Sequence, residues 1–189
     1  MNAPTIISRT DWGAAPFRGS PEPLGTVKNI VVHHAAGFAA ADVVTGKKRV
    51  RDVQRLHQER RGWRDIGYHF LIDAAGNVYQ GRPFFRGKAL RDLPQFAIGA
   101  HVLNMNPRKL GICLLGCFHP PAGGCNDQPS ELALASLEAL ARFVCVNYRA
   151  DPREIKTHRD FLSTDCPGDL LFEAVAAMRA RLSTDLHPA

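Results

Sequence analysis

The segment Thr157-His-Arg-Asp-Phe-Leu-Ser-Thr-Asp-Cys-Pro-Gly168 constrains this 189-residue chain more than any other. It sets His158 and Cys166 eight residues apart, in a stretch too rich in Ser, Thr, Asp, Pro and Gly to form a helix. An imidazole and a thiol converging from one loop are typical zinc ligands, and a third ligand must then come from elsewhere. The obvious source is Ile30-Val-Val-His-His34, an apolar run far upstream that ends in two histidines. Three ligands from two segments leave the fourth tetrahedral position to water, the arrangement of a catalytic zinc. In a strand His33 and His34 point to opposite faces, so at most one of them binds a given metal, and the pleat alone does not choose between them.

The rest of the chain reads as one α/β domain with a central mixed β-sheet flanked by helices, because strand and helix patterns alternate without repeats. Residues 1–28, punctuated by Gly and Pro, form an extended N-terminal arm that Trp12 pins onto the body, and residues 29–184 form the domain proper. Asn29 to His33 is a buried strand. Residues 39–45 form a weakly structured connection. Lys47 to Arg61 is a helix with Val50, Val53, Leu56 and His57 inward, and the run Lys47-Lys-Arg49 with Arg51 is a solvated face. Asp65 to Asp73 and Val78 to Gly81 make a hairpin around Ala74-Ala-Gly-Asn77. Alternation along its first strand puts Tyr68, Phe70 and Ile72 on one face and His69 and Leu71 on the other.

Residues 82–109 show no period and read as a long loop suited to gripping a substrate. Leu110 to Leu115 is a second buried strand, in which Cys113 serves as a small hydrophobe. Pro129 to Tyr148 is the clearest helix, Glu154 to Thr157 a short strand, and Asp169 to Leu182 the last helix. Cys117, His119 and Cys125 surround a Pro/Gly turn. Their spacing matches no common zinc pattern, and a Cys117–Cys125 disulfide requires an oxidising compartment.

The net charge of +6 fits nucleic acid, anionic lipid and acidic wall polymer equally. No run approaches the length of a membrane span, and the first residues lack the cationic start and apolar core of a secretory signal. Five cysteines, an odd number, argue for individual roles rather than a disulfide framework.

Val31-Val-His-His34, Gly62-Trp-Arg-Asp-Ile-Gly-Tyr-His-Phe-Leu-Ile72, Gly76-Asn-Val-Tyr-Gln-Gly-Arg82, Gly99-Ala-His101, Gly111-Ile-Cys-Leu-Leu-Gly116, His158-Arg-Asp160 and Cys166-Pro-Gly168 together resemble one family. It is the zinc-dependent N-acetylmuramoyl-L-alanine amidases, shared by phage lysozyme-type amidases and peptidoglycan recognition proteins. The likeness runs from about Ser8 to the last helix, and the lead-in Ser8-Arg-Thr-Asp-Trp-Gly-Ala14 looks more like the recognition-protein branch. The resemblance implies that His33, His158 and Cys166 hold one catalytic Zn2+, which resolves the histidine pair in favour of His33. It implies that Tyr68 and Thr164 are catalytic, the latter where some relatives carry lysine, and that His101 and Asn106 line the substrate groove, with His34 beside them.

The implied reaction is hydrolysis of the amide between N-acetylmuramic acid and L-alanine. Tyr68 would carry the proton, with His69 as the reserve. The implied partner is peptidoglycan or a muropeptide, with no nucleic acid, no membrane insertion and a monomeric enzyme. Lack of a signal fits a phage or prophage endolysin released through a holin, a recycling amidase, or an exported effector. Three readings compete: a module that binds muropeptide without cutting it, a structural zinc needing a fourth protein ligand, and a Cys166–His158 nucleophilic hydrolase indifferent to chelators.

Overall fold

The computed structural model describes residues 3–119, 125 and 127–186. Its strands are β1 (Asn29–Ala35), β2 (Phe70–Ile72), β3 (Val78–Gln80), β4 (Phe84–Arg86), β5 (Gln95–Phe96), β6 (Lys109–Leu115) and β7 (Ile155–Thr157). Its helices are α1 (Arg9–Trp12), α2 (Val43–Arg55), α3 (Glu131–Tyr148) and α4 (Asp169–Leu186). Five strands form a mixed sheet in the order β3-β2-β6-β1-β7, in which only β3 runs antiparallel to its neighbour.

The pleat divides the core in two. Ile30, Val32, Phe70, Ile72, Ile112 and Leu114 face one side, where α3 supplies Leu137, Leu140 and Val144 and α4 supplies Val175, Met178 and Leu182. Ala35, Leu71, Cys113 and Leu115 face the other side, against Val50 and Val53 of α2 and Trp12 of the arm. Both faces are covered by apolar groups, which is why β1 and β6 read as continuous hydrophobic runs. Trp12 is fully buried, and its Nε1 donates to Gln80 O at 2.7 Å. Arg9 pairs with the buried Asp65 at 3.0 Å and donates to Gly81 O, so the arm is tied down by apolar and ionic contacts together.

The structure departs from the sequence expectation at four places. The strand expected over Asp65–Asp73 is ordered only at Phe70–Ile72, because the preceding backbone is held by side chains. Ile66 N donates to Asp65 Oδ1 at 2.8 Å and Gly67 N to His57 Nδ1 at 3.1 Å. The pleat therefore does not extend to Tyr68, which packs with Leu71 and Cys113 rather than with Phe70 and Ile72. Residues 82–109 are not one loop but contain the antiparallel ribbon β4–β5. Helix α2 starts at Val43, where Asp42 Oδ1 accepts from Val44 N and Thr45 N, and its end continues as a π-turn over Leu56–Arg60. Helix α4 runs one turn further, to Leu186. Among the described residues no helix is long and apolar enough to cross a membrane.

Candidate metal centre

Register alone brings the two remote segments together. β1 and β7 are parallel neighbours, with Val32 opposite Thr157. The next residues, His33 still within β1 and His158 just past the end of β7, therefore lie side by side, and their ring centroids are 4.5 Å apart. Thr157 turns the chain there: its N and Oγ1 both donate to Asp160 Oδ2, at 2.6 and 2.8 Å, closing a one-turn helix over His158–Asp160. Arg159 then clasps the following loop, donating to Asp169 Oδ1 at 2.7 Å and to Asp165 O at 2.8 Å. The clasp returns Cys166 to the end of β1, where its Sγ lies 3.7 Å from His33 Nδ1 and accepts from His34 N at 3.4 Å. Gly168 is needed for this closure, since it has φ 86° and a Cβ there would lie 2.5 Å from the Phe118 carbonyl carbon.

One ligand atom each from His33, His158 and Cys166 lies within 4.8 Å of the other two. Two imidazoles and a thiol form a zinc donor set, and the histidines are already in the neutral form that ligates. Burial, followed by the neighbouring His101, His158, His34 and His69, holds the His33 pKa well below the ordinary imidazole value. Nε2 of His158 is buried without a hydrogen-bond partner in the described structure. Burial pushes the Cys166 thiol up to about 11, against the opposing pull of His34 N and Arg159. A thiolate at that position needs a cation beside it. The residues fit a zinc ion.

A second histidine fixes how His33 presents itself. His33 Nε2 lies 2.9 Å from His101 Nδ1, and His101 Nε2 lies 3.1 Å from Lys109 O. A carbonyl only accepts, so His101 carries its proton on Nε2 and accepts on Nδ1. His33 must then carry its proton on Nε2, and its Nδ1 lone pair is left facing Cys166 and His158. The space for this relay is made by Gly111, where a Cβ would lie 2.8 Å from the His101 ring. Both nitrogens of His101 are thus engaged within the protein. Nothing in the sequence pattern signalled the relay, because His101 is set against His33 by its bond to Lys109 of β6, the strand that pairs with β1.

The other expected site residues divide. The Tyr68 ring lies 5.2 Å from that of His33, and burial, then Cys113 and Cys166, holds its phenol well above the ordinary value and therefore neutral. Thr164 Oγ1 accepts from Cys166 N at 3.2 Å, which leaves the hydroxyl proton free to donate elsewhere. Asn106 Oδ1 is taken by His101 N and Val102 N, at 2.7 and 3.0 Å, so its amide nitrogen is the part left for a ligand. His34 points away from the His33 cluster and packs edge-on to His119 at 5.0 Å. His69 is strapped by Gly111 N and Ala97 O, each at 2.8 Å, and burial pushes it down to about 3. With both its nitrogens bonded to backbone, His69 has none free for a reacting proton, so the reserve role does not hold. Cys117 and Cys125 form a disulfide. A concavity between the arm and α2, lined by Lys48, Asp52, Arg55 and Glu59, lies away from all these groups.

A mixed sheet with His33, His158 and Cys166 converging beside it, next to a neutral tyrosine, carries a donor set that fits a zinc ion. The N-acetylmuramoyl-L-alanine amidase family profile matches residues 23–169, and the chain belongs to this family. It is 34% identical over 182 residues to the human (Homo sapiens) N-acetylmuramoyl-L-alanine amidase, covering 92% of this chain but only 28% of that longer protein. A solved structure of peptidoglycan recognition protein LE in complex with tracheal cytotoxin, a monomeric diaminopimelic acid-type peptidoglycan, superposes with TM-score 0.77 at 30% identity, covering 91% of this chain and 92% of that one. The amidase LysC of Clostridium intestinale gives TM-score 0.71 at 26% identity, over 93% and 97% of the two chains.

Proposed function

We propose that this chain is a zinc-dependent N-acetylmuramoyl-L-alanine amidase that cleaves the lactyl amide between N-acetylmuramic acid and L-alanine in peptidoglycan. The observation that carries the reading is the convergence of His33, His158 and Cys166 within 4.8 Å, with Tyr68 packed against the first of them. Bound there, a zinc ion supplies a Lewis acid that makes water nucleophilic near neutral pH and polarises the scissile carbonyl.

The chain's own groups do the rest. His101 holds His33 in the tautomer that ligates, and the His34 amide supports the Cys166 thiolate. Tyr68, neutral at working pH, donates its hydroxyl proton to the oxygen that gains charge as the amide carbon becomes tetrahedral. We assign to the same hydroxyl the relay to the departing alanine nitrogen of the proton that the attacking water gives up, the phenol being left neutral. Thr164 spends its lone pair on Cys166 N and has its hydroxyl hydrogen to offer the substrate carbonyl. It supplies a hydrogen bond but no fixed charge.

The muropeptide held by recognition protein LE supports the same substrate class here, and a monomer suffices for the reaction. For the setting we propose an endolysin acting on exposed wall, where the Cys117–Cys125 disulfide is at home. Wall lysis only on co-expression with a pore-forming holin is the expected result for that role.

Purified peptidoglycan incubated with the protein should release new L-alanine amino termini, and full chelation should stop the release. Cys166→Ala should lose both zinc and activity, whereas Tyr68→Phe should keep zinc and lose activity by ~10²-fold or more, the scale of a lost oxyanion donor. Cleavage that survives chelation, or a cut in the glycan, refutes the proposal. Retained binding with no cleavage in the zinc-loaded protein leaves the binding module as the correct reading.

A further inference from the structure

We infer that His34, Cys117 and His119 form a second metal site, separate from the His33 centre and gated by the Cys117–Cys125 disulfide. Each of the three residues offers one ligand atom, and these atoms lie within 4.8 Å of one another. The site stands on the opposite face of β1 from His33, as the pleat requires of adjacent residues. Nδ1 of His34 is buried with no hydrogen-bond partner in the described structure, an expensive state for a polar nitrogen unless something takes its lone pair. The rings of His34 and His119 meet edge-on at 5.0 Å, with Cys117 two residues before His119.

The backbone beside Cys117 and His119 is held in place by two hydrogen bonds. Cys117 N donates to Asp127 Oδ2 at 2.7 Å, and Phe118 O accepts from Leu170 N at 3.2 Å. Two imidazoles and one thiolate select a borderline-soft divalent ion, Zn2+ before Mg2+ or Ca2+.

The same sulfur cannot serve a disulfide and an ion at once. With the Cys117–Cys125 bond formed, the site lacks its thiolate. A dithiol opens the bond by exchange: its first thiolate attacks one sulfur, and its second closes on the mixed disulfide. The reductant leaves as a cyclic disulfide, and Cys117 and Cys125 are released as thiols. Ion binding then displaces the Cys117 thiol proton to solvent. Cys117 is thereby bonded in either redox state, to Cys125 in an oxidising compartment and to the ion beside His34 in a reducing one. His34 is assigned to that ion rather than to substrate.

The test counts zinc by atomic absorption in oxidised protein and in protein reduced with dithiothreitol, the reductant being removed under nitrogen before Zn2+ is added. The reduced wild type should hold one more tightly bound zinc per chain than the oxidised form. Cys125→Ser, which cannot form the bridge, should hold the additional ion without any reductant, and Cys117→Ser should never hold it. A second measurement uses Co2+ in Cys166→Ala protein, whose first centre has lost its thiolate. A thiolate-to-cobalt charge-transfer band should appear on reduction and vanish when Cys117→Ser is added. Equal zinc counts in all forms, absence of the extra ion from Cys125→Ser, or a charge-transfer band that persists without Cys117 overturns the inference. None of these readouts depends on amidase activity, so they stand or fall independently of the proposed reaction.

Discussion

At the scale of single residues, His101 shows how a side chain outside the ligand set can govern a metal centre. Its Nδ1 accepts from His33 and its Nε2 donates to Lys109 O, so removing it leaves the buried His33 N–H unpaired and the tautomer unfixed. His101→Leu should weaken zinc binding by ~10- to 100-fold, the usual cost of losing an outer-shell partner. His101→Asn, whose Oδ1 falls where Nδ1 stood, should recover most of that loss. Competition against a chromophoric chelator reads both values, and equal zinc affinity in the Leu variant and the wild type would show that the relay is incidental. His158, Cys166 and the His33/His34 pair were legible as candidates because a His/Cys loop and an apolar run closing on His-His each carry a chemical signature, and the family likeness, not the pleat, chose His33. The relay was not legible, because it depends on which residues the sheet makes neighbours. The sequence likeness assigned His101 to the groove, whereas the bonds turn its ring nitrogens inward.

At the scale of elements, periodicity succeeded where burial is continuous and failed where side chains replace backbone partners. β1, β6 and α3 lie where their apolar patterns put them, since each is packed on the core along its length. β2 is shorter than its pattern because Asp65 and His57 take backbone amides that a strand would have given to a neighbour. β4 and β5 went unseen because a two-stranded ribbon among Gly, Pro and Arg leaves too few residues for a period to show. Side chains also fasten elements to one another at the start of α3. Ser130 Oγ accepts from Ala133 N at 3.1 Å and donates to Ala74 O at 2.5 Å, joining the helix cap to the β2–β3 turn. Ser130→Ala should therefore cost about 1 kcal/mol or somewhat more, because a cap and an inter-element bond are lost together. Urea unfolding reads this directly. A change within error would show that water replaces both bonds at no cost.

At the scale of the whole molecule, the fold depends on histidines remaining neutral. Six of the eight, His33, His34, His57, His69, His101 and His158, have pKa values lowered from 6.5, burial being the first cause in every case. In the unfolded chain these groups take up protons as pH falls through 6.5, while the folded protein resists until about 4 for His57 and about 3 for His69. The unfolded state therefore binds more protons across that window, so stability is full above pH 6.5 and drains as pH falls towards 4. His57 isolates the effect, because it is buried, stands apart from both metal clusters and accepts from Gly67 N through Nδ1. In metal-free protein each such histidine should add about 1.4 kcal/mol per pH unit to the slope of stability against pH. His57→Gln keeps an acceptor for Gly67 N but cannot titrate, so it should lower that slope by close to one proton between pH 6 and about 4.5, whatever its effect on stability at pH 7. Chemical denaturation at a series of pH values gives both slopes. Parallel lines for the two proteins would mean that His57 is protonated in the fold as readily as in the unfolded chain, and that acid lability arises elsewhere.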